Sequence, residues 1–174
     1  MRYLYAPWRA PYIRRASGKP RGGCLFCSLA RARSDRRHRI LHRGANCLVV
    51  LNAFPYCSGH LMIAPFQHRP GLAALDAAAA HEMIDLAAWA EAILRRCYRP
   101  DGLNLGINLG RVAGAGVAGH VHLHVLPRWN GDTNFMATVA DARVVPEALS
   151  ETYRRLLPHF RGLMRRRESG SSGT

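Results

Sequence analysis

A run of alternating histidines constrains this chain more than any other feature. In the segment from Gly119 to Arg128, His120, His122 and His124 alternate with apolar residues. This period of two predicts a strand with one polar face and one buried face. On one face of a strand, successive side chains stand about 6.6 Å apart, which separates the outer two histidines by about 13 Å. One zinc ion, with bonds of about 2.0–2.1 Å to nitrogen, can bind two neighbouring imidazoles but hardly three. At least one histidine is therefore left for another task.

A glycine-rich loop leads directly into these histidines. Five glycines lie between Gly106 and Gly119, interleaved with Asn104, Asn108 and Ala113. Small residues let the backbone approach a ligand closely, and successive amide N–H groups form concavities that bind anions. The loop is not a P-loop, because no Gly-Lys-Ser/Thr follows and no acidic pair is present for magnesium. We interpret it as a phosphate-binding loop that faces an imidazole nucleophile. The alternatives are a flexible turn and a half-exposed strand that merely carries histidines.

Imidazole chemistry agrees with this interpretation. A neutral imidazole, with an unperturbed pKa of about 6.5, attacks phosphorus at pH 7 without an auxiliary base. The phosphoramidate that forms is readily protonated and expelled, so transfer proceeds in two steps. A second histidine can donate a proton to the leaving phosphate. Backbone amides and Asn108 would stabilise the developing charge.

Composition limits the compartment and the partners. The chain of 174 residues has 25 Lys and Arg against 11 Asp and Glu, a net charge of +14 that suits nucleotides, polyphosphates or nucleic acid. It has no apolar run of 18 residues and its N-terminus lacks the apolar region of a signal peptide, so we expect a cytoplasmic protein with no membrane association. Five cysteines in that compartment argue against a disulfide framework. Only Cys24 and Cys27 have ligand-like spacing, which fits a redox pair, a zinc half-site or two unrelated thiols.

Hydrophobic patterning predicts the order of the elements. A long helix from Ala77 to Tyr98 should begin after Asp76 as its N-cap. A last helix should begin near Pro146, and Pro158 should break or kink it. The predicted strands cover residues 37–43, 46–51, 60–65, 103–109 and 120–128. The chain thus divides into an N-terminal arm (residues 1–23), a domain (24–157) and a basic, flexible C-terminal tail (158–174).

The histidine run resembles the signature of a known family. The pattern His-φ-His-φ-His-φ-φ from His120 to Leu126 is that of the histidine-triad (HIT) superfamily of nucleotide hydrolases and transferases. Arg128-Trp129 and the segment from Gly131 to Phe135 are similar to the bacterial branch that contains diadenosine tetraphosphate phosphorylases (ATP adenylyltransferases). Further family-like segments follow in the same order: Cys24-x-x-Cys27, Leu51-Asn52-Ala53-Phe54-Pro55, Gly59-His60-Leu61-Met62, Pro65-Phe66-Gln67-His68 and Asn108-Leu109-Gly110.

The resemblance implies roles for individual residues. It makes His122 the nucleophile, and His124 a phosphate ligand and proton donor. Asn52 matches a position that holds the nucleotide ribose, and Asn108 one that contacts phosphate. Ala115-Gly116 stands where the family presents backbone N–H groups to phosphate. Many relatives carry Gln or Ser in that loop, whereas Gly116-Val117 stands here, so the resemblance supports only the backbone contacts.

The resemblance also implies a metal site. In zinc-binding members the ligands would correspond to Cys24, Cys27, His68 and His120. The residues alone do not choose between His60 and His68, and we interpret His60 as a structural or pocket residue. A closed site with four protein ligands implies structural zinc, far enough from His122 to leave no open position for catalysis. No organic cofactor is expected.

These inferences combine into one expectation. The fold should be α+β, with a HIT-like, five-stranded, mainly antiparallel sheet, one long helix across it and a C-terminal helix. The family pairs subunits, so we expect a homodimer or a higher homo-oligomer. The expected function is nucleotidyl transfer or hydrolysis on dinucleoside polyphosphates, with phosphorolysis of diadenosine tetraphosphate to ADP and ATP as the leading reaction. Inorganic phosphate would bind at a second anionic site near Arg128. The alternatives are a nucleoside phosphoramidase or general nucleotide hydrolase and, more remotely, a nucleic-acid-binding module, for which we expect only weak binding.

Overall fold

A computed structural model describes residues 23–132 and 147–170, with side chains as far as residue 162. Nearly all of the predicted N-terminal arm lies outside the described residues. The strands are β1 (Ile40–Arg43), β2 (Cys47–Leu51), β3 (Leu61–Pro65), β4 (Gly102–Ile107) and β5 (Leu123–Arg128). The helices are α1 (Leu25–Arg31), α2 (Asp35–His38), α3 (Ala77–Tyr98) and α4 (Leu149–Gly170), with a 3₁₀ turn at Leu72–Ala74. No described helix has the length and apolar character needed to span a bilayer.

The five strands form one antiparallel sheet in the order β1-β2-β3-β5-β4. The strand that carries the end of the histidine run, β5, therefore lies between β3 and β4. Met62 on β3 and Gly106 on β4 are the register partners of His124. The α+β fold and the five-stranded antiparallel sheet confirm the architecture expected from the sequence.

The long helix α3 covers one face of the sheet, and α1 covers the other. Asp76 caps α3 as predicted, because its Oδ1 accepts a hydrogen bond of 2.7 Å from the Ala79 amide. Buried apolar residues at helical spacing on α3 pack against the odd-numbered residues of β2, β3 and β5. The second apolar cluster joins Phe26 and Leu29 of α1 to residues on the opposite face of the sheet. The triad histidine on β5, His124, lies on that second face, opposite Met62.

Arg43, at the end of β1, holds the C-terminus of α1. Its Nη1 donates to the Ala30 carbonyl at 2.9 Å, and its Nη2 donates to the carbonyls of Leu29 and Ala32 at 2.9 and 3.1 Å. Its Nε pairs with Asp35 at 2.9 Å. The last carbonyls of a helix have no intrahelical partner and carry partial negative charge, so one guanidinium both satisfies and neutralises them.

The C-terminal helix α4 packs onto α3 and β1 and extends further than predicted. Leu156 and Phe160 are buried in the main core, and Tyr153 donates a hydrogen bond of 3.2 Å to the Ile40 carbonyl. The helix continues through Pro158, so the predicted break there is wrong. Pro158 is exposed, and solvent can reach the carbonyl that loses its amide partner. The predicted domain end at residue 157 therefore lies within this helix.

Two strand starts also differ from the prediction. Residues 37–38 belong to α2, because the Ser34 side chain accepts a hydrogen bond from the Arg37 amide and Arg39 ends the turn in a left-handed conformation. The strand β1 thus begins only at Ile40. β5 begins at Leu123 rather than His120, because the Val121 amide donates to the Arg69 carbonyl at 2.7 Å instead of joining the sheet. The first two triad histidines therefore precede the strand.

Candidate active site and metal centre

Two cysteines at the N-terminal end of α1 and two histidines from distant loops converge beside the sheet. The Cys24 Sγ lies 3.2 Å from the Nδ1 of His120, and the Cys27 Sγ lies 3.7 Å from the same atom. The Cys27 Sγ also lies 3.4 Å from the Nδ1 of His68. The four ligand atoms are all within 4.8 Å of one another. The structure thus brings together the four residues that the sequence named, and it does so with His68 rather than His60.

These residues fit a zinc ion. Tetrahedral zinc with bonds of about 2.3 Å to sulfur and 2.0–2.1 Å to nitrogen separates the S and N ligands by about 3.5 Å, close to the observed distances. The His120 Nε2 lies 2.8 Å from the Pro65 carbonyl and donates to it, which leaves the Nδ1 lone pair facing the cysteines. Two thiolates and two imidazoles form a donor set that suits zinc. Four protein ligands close the site, so an ion held there would be structural.

His122 is buried with a defined tautomer. Its Nδ1 lies 2.9 Å from the His120 carbonyl, and because a carbonyl only accepts hydrogen bonds, Nδ1 carries the proton. The lone pair of the neutral ring therefore resides on Nε2. His120 thus contributes a side chain to the metal cluster and a carbonyl to the candidate nucleophile. His122 is not part of the four-residue cluster, and that the cluster is far enough from His122 to be purely structural stays a prediction.

His124 receives the opposite tautomer through His60. The Tyr56 amide donates to the His60 Nδ1 at 3.1 Å, so the neutral His60 ring carries its proton on Nε2. That Nε2 donates to the His124 Nδ1 at 2.9 Å. His124 then carries its own proton on Nε2. Of the two triad residues that are not metal ligands, His122 offers a lone pair and His124 offers a hydrogen-bond donor.

Burial keeps both rings neutral near pH 7. Desolvation lowers the pKa of His122, although the hydrogen bond to the His120 carbonyl partly opposes it. Desolvation, followed by the charge of His122, lowers the pKa of His124 to about 4. In the free protein His124 is therefore a hydrogen-bond donor rather than an imidazolium acid. A bound anion would raise the pKa of His124 and bring proton donation within reach.

The glycine-rich loop between β4 and the triad is internally bonded. The Ala115 amide donates to the Gly110 carbonyl at 3.2 Å, and the Gly114 amide donates to the Arg111 carbonyl at 3.0 Å. Gly114 has φ +93°, which favours glycine, and a Cβ there would lie 3.7 Å from the Asn108 side-chain nitrogen. Asn108 therefore stands beside the loop, and its contact with phosphate stays a prediction. Contact between the Ala115 amide and phosphate would require that amide to leave Gly110, whereas Gly116 is exposed.

Asn52 and Arg128 have defined partners. The Asn52 Oδ1 accepts a hydrogen bond of 3.0 Å from the Phe54 amide, and its Nδ2 lies 3.3 Å from the His60 Nδ1, so Asn52 borders the triad. The Arg128 guanidinium donates to the Asp132 carboxylate at 2.5 and 2.7 Å. It also donates to the Asn104 side chain at 2.8 Å. Asp132 thus offsets much of the positive charge that the predicted second anionic site was to use. Residues 133–135 of that predicted site lie outside the described residues.

Sequence reasoning missed the role of one residue beside the triad and the presence of another. His60 was interpreted as a structural or pocket residue and does lie beside the triad, but its hydrogen bond to His124, which sets the tautomer, was not predicted. The signal was available, because His60 precedes Met62 by two positions and therefore shares the sheet face of His124. Phe26 is buried, and its ring contacts the rings of His120 and His122. Its position between two metal-ligand cysteines was the only sequence signal for it.

The fold and the site together define the class of protein. An antiparallel five-stranded sheet carries an alternating histidine triad beside a glycine-rich loop, and the HIT domain model matches residues 34–131. The chain belongs to the HIT family and is an enzyme that acts on nucleotides.

One sequence relative and two solved structures illustrate the similarity to known proteins. An AP-4-A phosphorylase of Mycobacterium tuberculosis is 35% identical over 160 residues, covering 88% of this chain and 81% of the relative. A zinc-bound histidine triad family protein of Mycobacterium smegmatis has a similar structure, with a TM-score of 0.66 and 26% identity over 81% of this chain and 95% of that one. A diadenosine triphosphate hydrolase of Plasmodium falciparum shares the fold, with a TM-score of 0.58 and 14% identity over 74% of this chain and 78% of the other.

Proposed function

We propose that the protein transfers a nucleotidyl group from a dinucleoside polyphosphate through a covalent intermediate on His122. The Nε2 lone pair attacks the α-phosphorus, the N–P bond forms, and the P–O bond to the remaining polyphosphate breaks. The observation that carries this proposal is the 2.9 Å hydrogen bond from the His122 Nδ1 to the His120 carbonyl. It leaves the nucleophilic lone pair on Nε2, and it stabilises the positive charge that develops on the ring as the N–P bond forms.

Other residues bind the substrate and stabilise the negative charge of its phosphates. The His124 Nε2–H donates to a phosphate oxygen, and the bound anion raises the pKa of the ring so that it takes up a second proton from solvent. The imidazolium then passes one proton to the leaving oxygen and returns to the neutral ring. Gly116 offers its backbone N–H to phosphate, Ala115 does so once its amide leaves the Gly110 carbonyl, and Asn108 adds a side-chain donor. Asn52, which borders His60, binds the ribose.

We further propose that inorganic phosphate is the acceptor. Phosphate oxygen attacks the nucleotidyl-His122, the N–P bond breaks, and the neutral imidazole is restored. Diadenosine tetraphosphate and phosphate then give ATP in the first step and ADP in the second. The similarity to an AP-4-A phosphorylase over 88% of this chain supports this choice.

Product analysis tests the reaction. Diadenosine tetraphosphate should give equal amounts of ADP and ATP with phosphate present, and turnover should fall sharply without it. Acid-sensitive labelling of the protein by substrate radiolabelled at the α-phosphorus should appear in the wild type and be lost in His122→Ala. If AMP forms at the same rate with and without phosphate, water is the acceptor.

A nucleotide hydrolase or nucleoside phosphoramidase is the second candidate, with the same intermediate resolved by water. The pairing of Arg128 with Asp132 favours it, because less positive charge remains to hold a second anion. A nucleic-acid role is disfavoured, and we expect binding that disappears near physiological salt.

We propose that Cys24, Cys27, His68 and His120 hold one structural zinc ion per chain. The geometry of these ligands and the zinc-bound relative support this assignment. Elemental analysis of protein purified without chelators tests it, and an absence of metal would contradict it. We also propose a cytoplasmic homo-oligomer, as expected from the sequence.

A further inference from the structure

Phe26 lies between the metal cluster and the candidate nucleophile. Its side chain is 1% exposed, and its ring centroid lies 5.1 Å from that of His120 and 4.7 Å from that of His122. In the sequence it stands between the two cysteines of the cluster. One residue of α1 therefore touches the nucleophile while its neighbours Cys24 and Cys27 face the metal site.

The cluster reaches His122 by a second route as well. The His120 ring is fixed by the Pro65 carbonyl on one nitrogen and by the cysteines on the other. The His120 carbonyl accepts the proton of the His122 Nδ1 at 2.9 Å. A displacement of the His120 backbone after loss of the cysteine contacts would therefore move the hydrogen-bond acceptor that selects the His122 tautomer.

We propose that Phe26 is a positioning residue for the His122 nucleophile, and that zinc in the cluster orders His122 through Phe26 and through the His120 backbone. This proposal rests on the role of His122 proposed above. Phe26 supplies the wall against which the imidazole rests, and the metal supplies the order of α1.

The short helix α1 depends on its tertiary contacts to stay ordered. α1 has only seven residues, too few to be stable as an isolated helix. Arg43 fixes its C-terminal end, and the two metal ligands lie at its N-terminal end. Loss of the ion would release the N-terminal end, where Phe26 is placed. A displacement of about 1 Å at a reacting atom can reduce the rate about 10²-fold.

The first test compares two variants on the same helix. Phe26→Ala removes the wall of His122, whereas Leu29→Ala removes a buried side chain of the same apolar cluster and serves as the matched control. In zinc-loaded protein we expect Phe26→Ala to reduce kcat by roughly 10- to 100-fold with little change in KM, since misplacement of a reacting group lowers the rate without weakening binding. Leu29→Ala should retain kcat per folded molecule. Phe26→Leu, which fills more of the space, should recover much of the loss.

The second test measures the tautomer of the His122 imidazole directly and needs no substrate. Nitrogen-15 NMR of zinc-loaded wild type should show His122 as a single tautomer protonated on Nδ1. Phe26→Ala, and wild type stripped of zinc, should both show a mixture of tautomers. In Phe26→Ala, zinc removal should reduce kcat by a smaller factor than in wild type, because part of the coupling is already lost.

Several outcomes would overturn the proposal. A raised KM with unchanged kcat in Phe26→Ala would make Phe26 a substrate contact. An unchanged His122 spectrum without zinc would restrict the metal to stability. If the protein unfolds when zinc is removed, the test is the comparison of zinc-loaded Phe26→Ala with zinc-loaded Leu29→Ala. Equal His122 nitrogen-15 spectra in these two variants would refute the positioning role of Phe26. If no nucleotidyl-His122 forms, the proposed function fails while the tautomer measurements still test the positioning.

Discussion

His120, His122 and His124 are identical side chains that different partners hold in different states. The Pro65 carbonyl leaves the lone pair of His120 on Nδ1, the His120 carbonyl leaves the lone pair of His122 on Nε2, and His60 leaves His124 as a hydrogen-bond donor. The alternating pattern predicted the shared location of the three rings. It did not predict their tautomers, because the groups that select them lie elsewhere: Pro65 is 55 positions from His120, and His60 is 64 positions from His124.

The different hydrogen-bonding states of His122 and His124 predict that their substitutions reduce the rate by different factors. His122→Ala should reduce the rate at least about 10³-fold with near-normal nucleotide affinity, because it removes an interaction made only in the transition state. His124→Ala should cost less, roughly 10²-fold, since it removes a proton donor but not the nucleophile. Single-turnover kinetics and equilibrium nucleotide binding measure the two quantities. A greater loss in His124→Ala than in His122→Ala would reverse the assignment.

The pKa of His124 predicts how stability depends on pH. Its pKa in the folded protein is about 4, whereas an unfolded histidine titrates near 6.5. Between these values the unfolded chain binds more protons, so the free energy of unfolding should decrease as pH falls from about 6.5 towards 4. Urea unfolding of wild type and His124→Gln at several pH values measures this. His124→Gln should show a shallower decrease, and because both proteins keep the metal ligands, equal slopes would contradict the prediction.

At the scale of elements, the sequence predicted a helix or strand correctly where the local signals were strong. It did not predict which distant residues would hydrogen-bond to the ends of an element. The helix from Ala77 to Tyr98 was predicted with its cap, because Asp76 and the apolar spacing are local features. Residues 37–38, which end the short helix Asp35–His38, were assigned to a strand, because the stability of that helix depends on the Ser34 cap and on the pairing of Arg43 with Asp35. The strand start at His120 was wrong because the Arg69 carbonyl, 52 positions away in the chain, takes the Val121 amide.

The β1–β2 hairpin is tied to α3 by Glu82, which predicts a large effect at Gly44. The Glu82 carboxylate accepts hydrogen bonds from the amides of Ala45 and Asn46 at 2.8 and 2.5 Å, and a Cβ on Gly44 would fall on that carboxylate. Gly44→Ala should displace Glu82 and lower the free energy of unfolding by roughly 2 kcal/mol, since bonds to a charged group are lost. Chemical denaturation measures this change.

The matched control for Gly44→Ala is the same substitution in a Glu82→Ala background. There the hydrogen bonds are already absent, and little further loss is expected. Additive effects of the two substitutions would show that Gly44 matters for another reason.

At the scale of the whole molecule, β4 forms one edge of the sheet in the part of the chain that the structure describes. β4 is an edge strand, and its exposed Leu105 lines a groove with Ile84, Ala87 and Ile107. An edge strand beside an apolar groove suits pairing with a second copy of the chain, and the oligomer expected from the sequence stays a prediction.

A charge in this groove should separate the subunits. Leu105→Lys should weaken self-association on the order of 100-fold, because a lysine would be buried without a partner. Leu72→Lys is the control, since Leu72 is about as exposed (43% against 45%) but does not line the groove. Sedimentation velocity over a range of concentrations measures the effect, and a monomeric wild type would contradict the prediction.

The metal ligands are far apart in the chain, and this spacing has a consequence for local unfolding. Cys24 and His120 are separated by 96 positions, so a bound ion would act as a reversible cross-link between an N-terminal helix and the segment before β5. Opening of α1 would then require release of zinc, and the free energy of opening would rise with the logarithm of free zinc concentration. Hydrogen exchange at the amides of α1 should slow as zinc is added, while exchange in α3 changes less. The local opening of α1 would then depend on the concentration of free zinc around the enzyme.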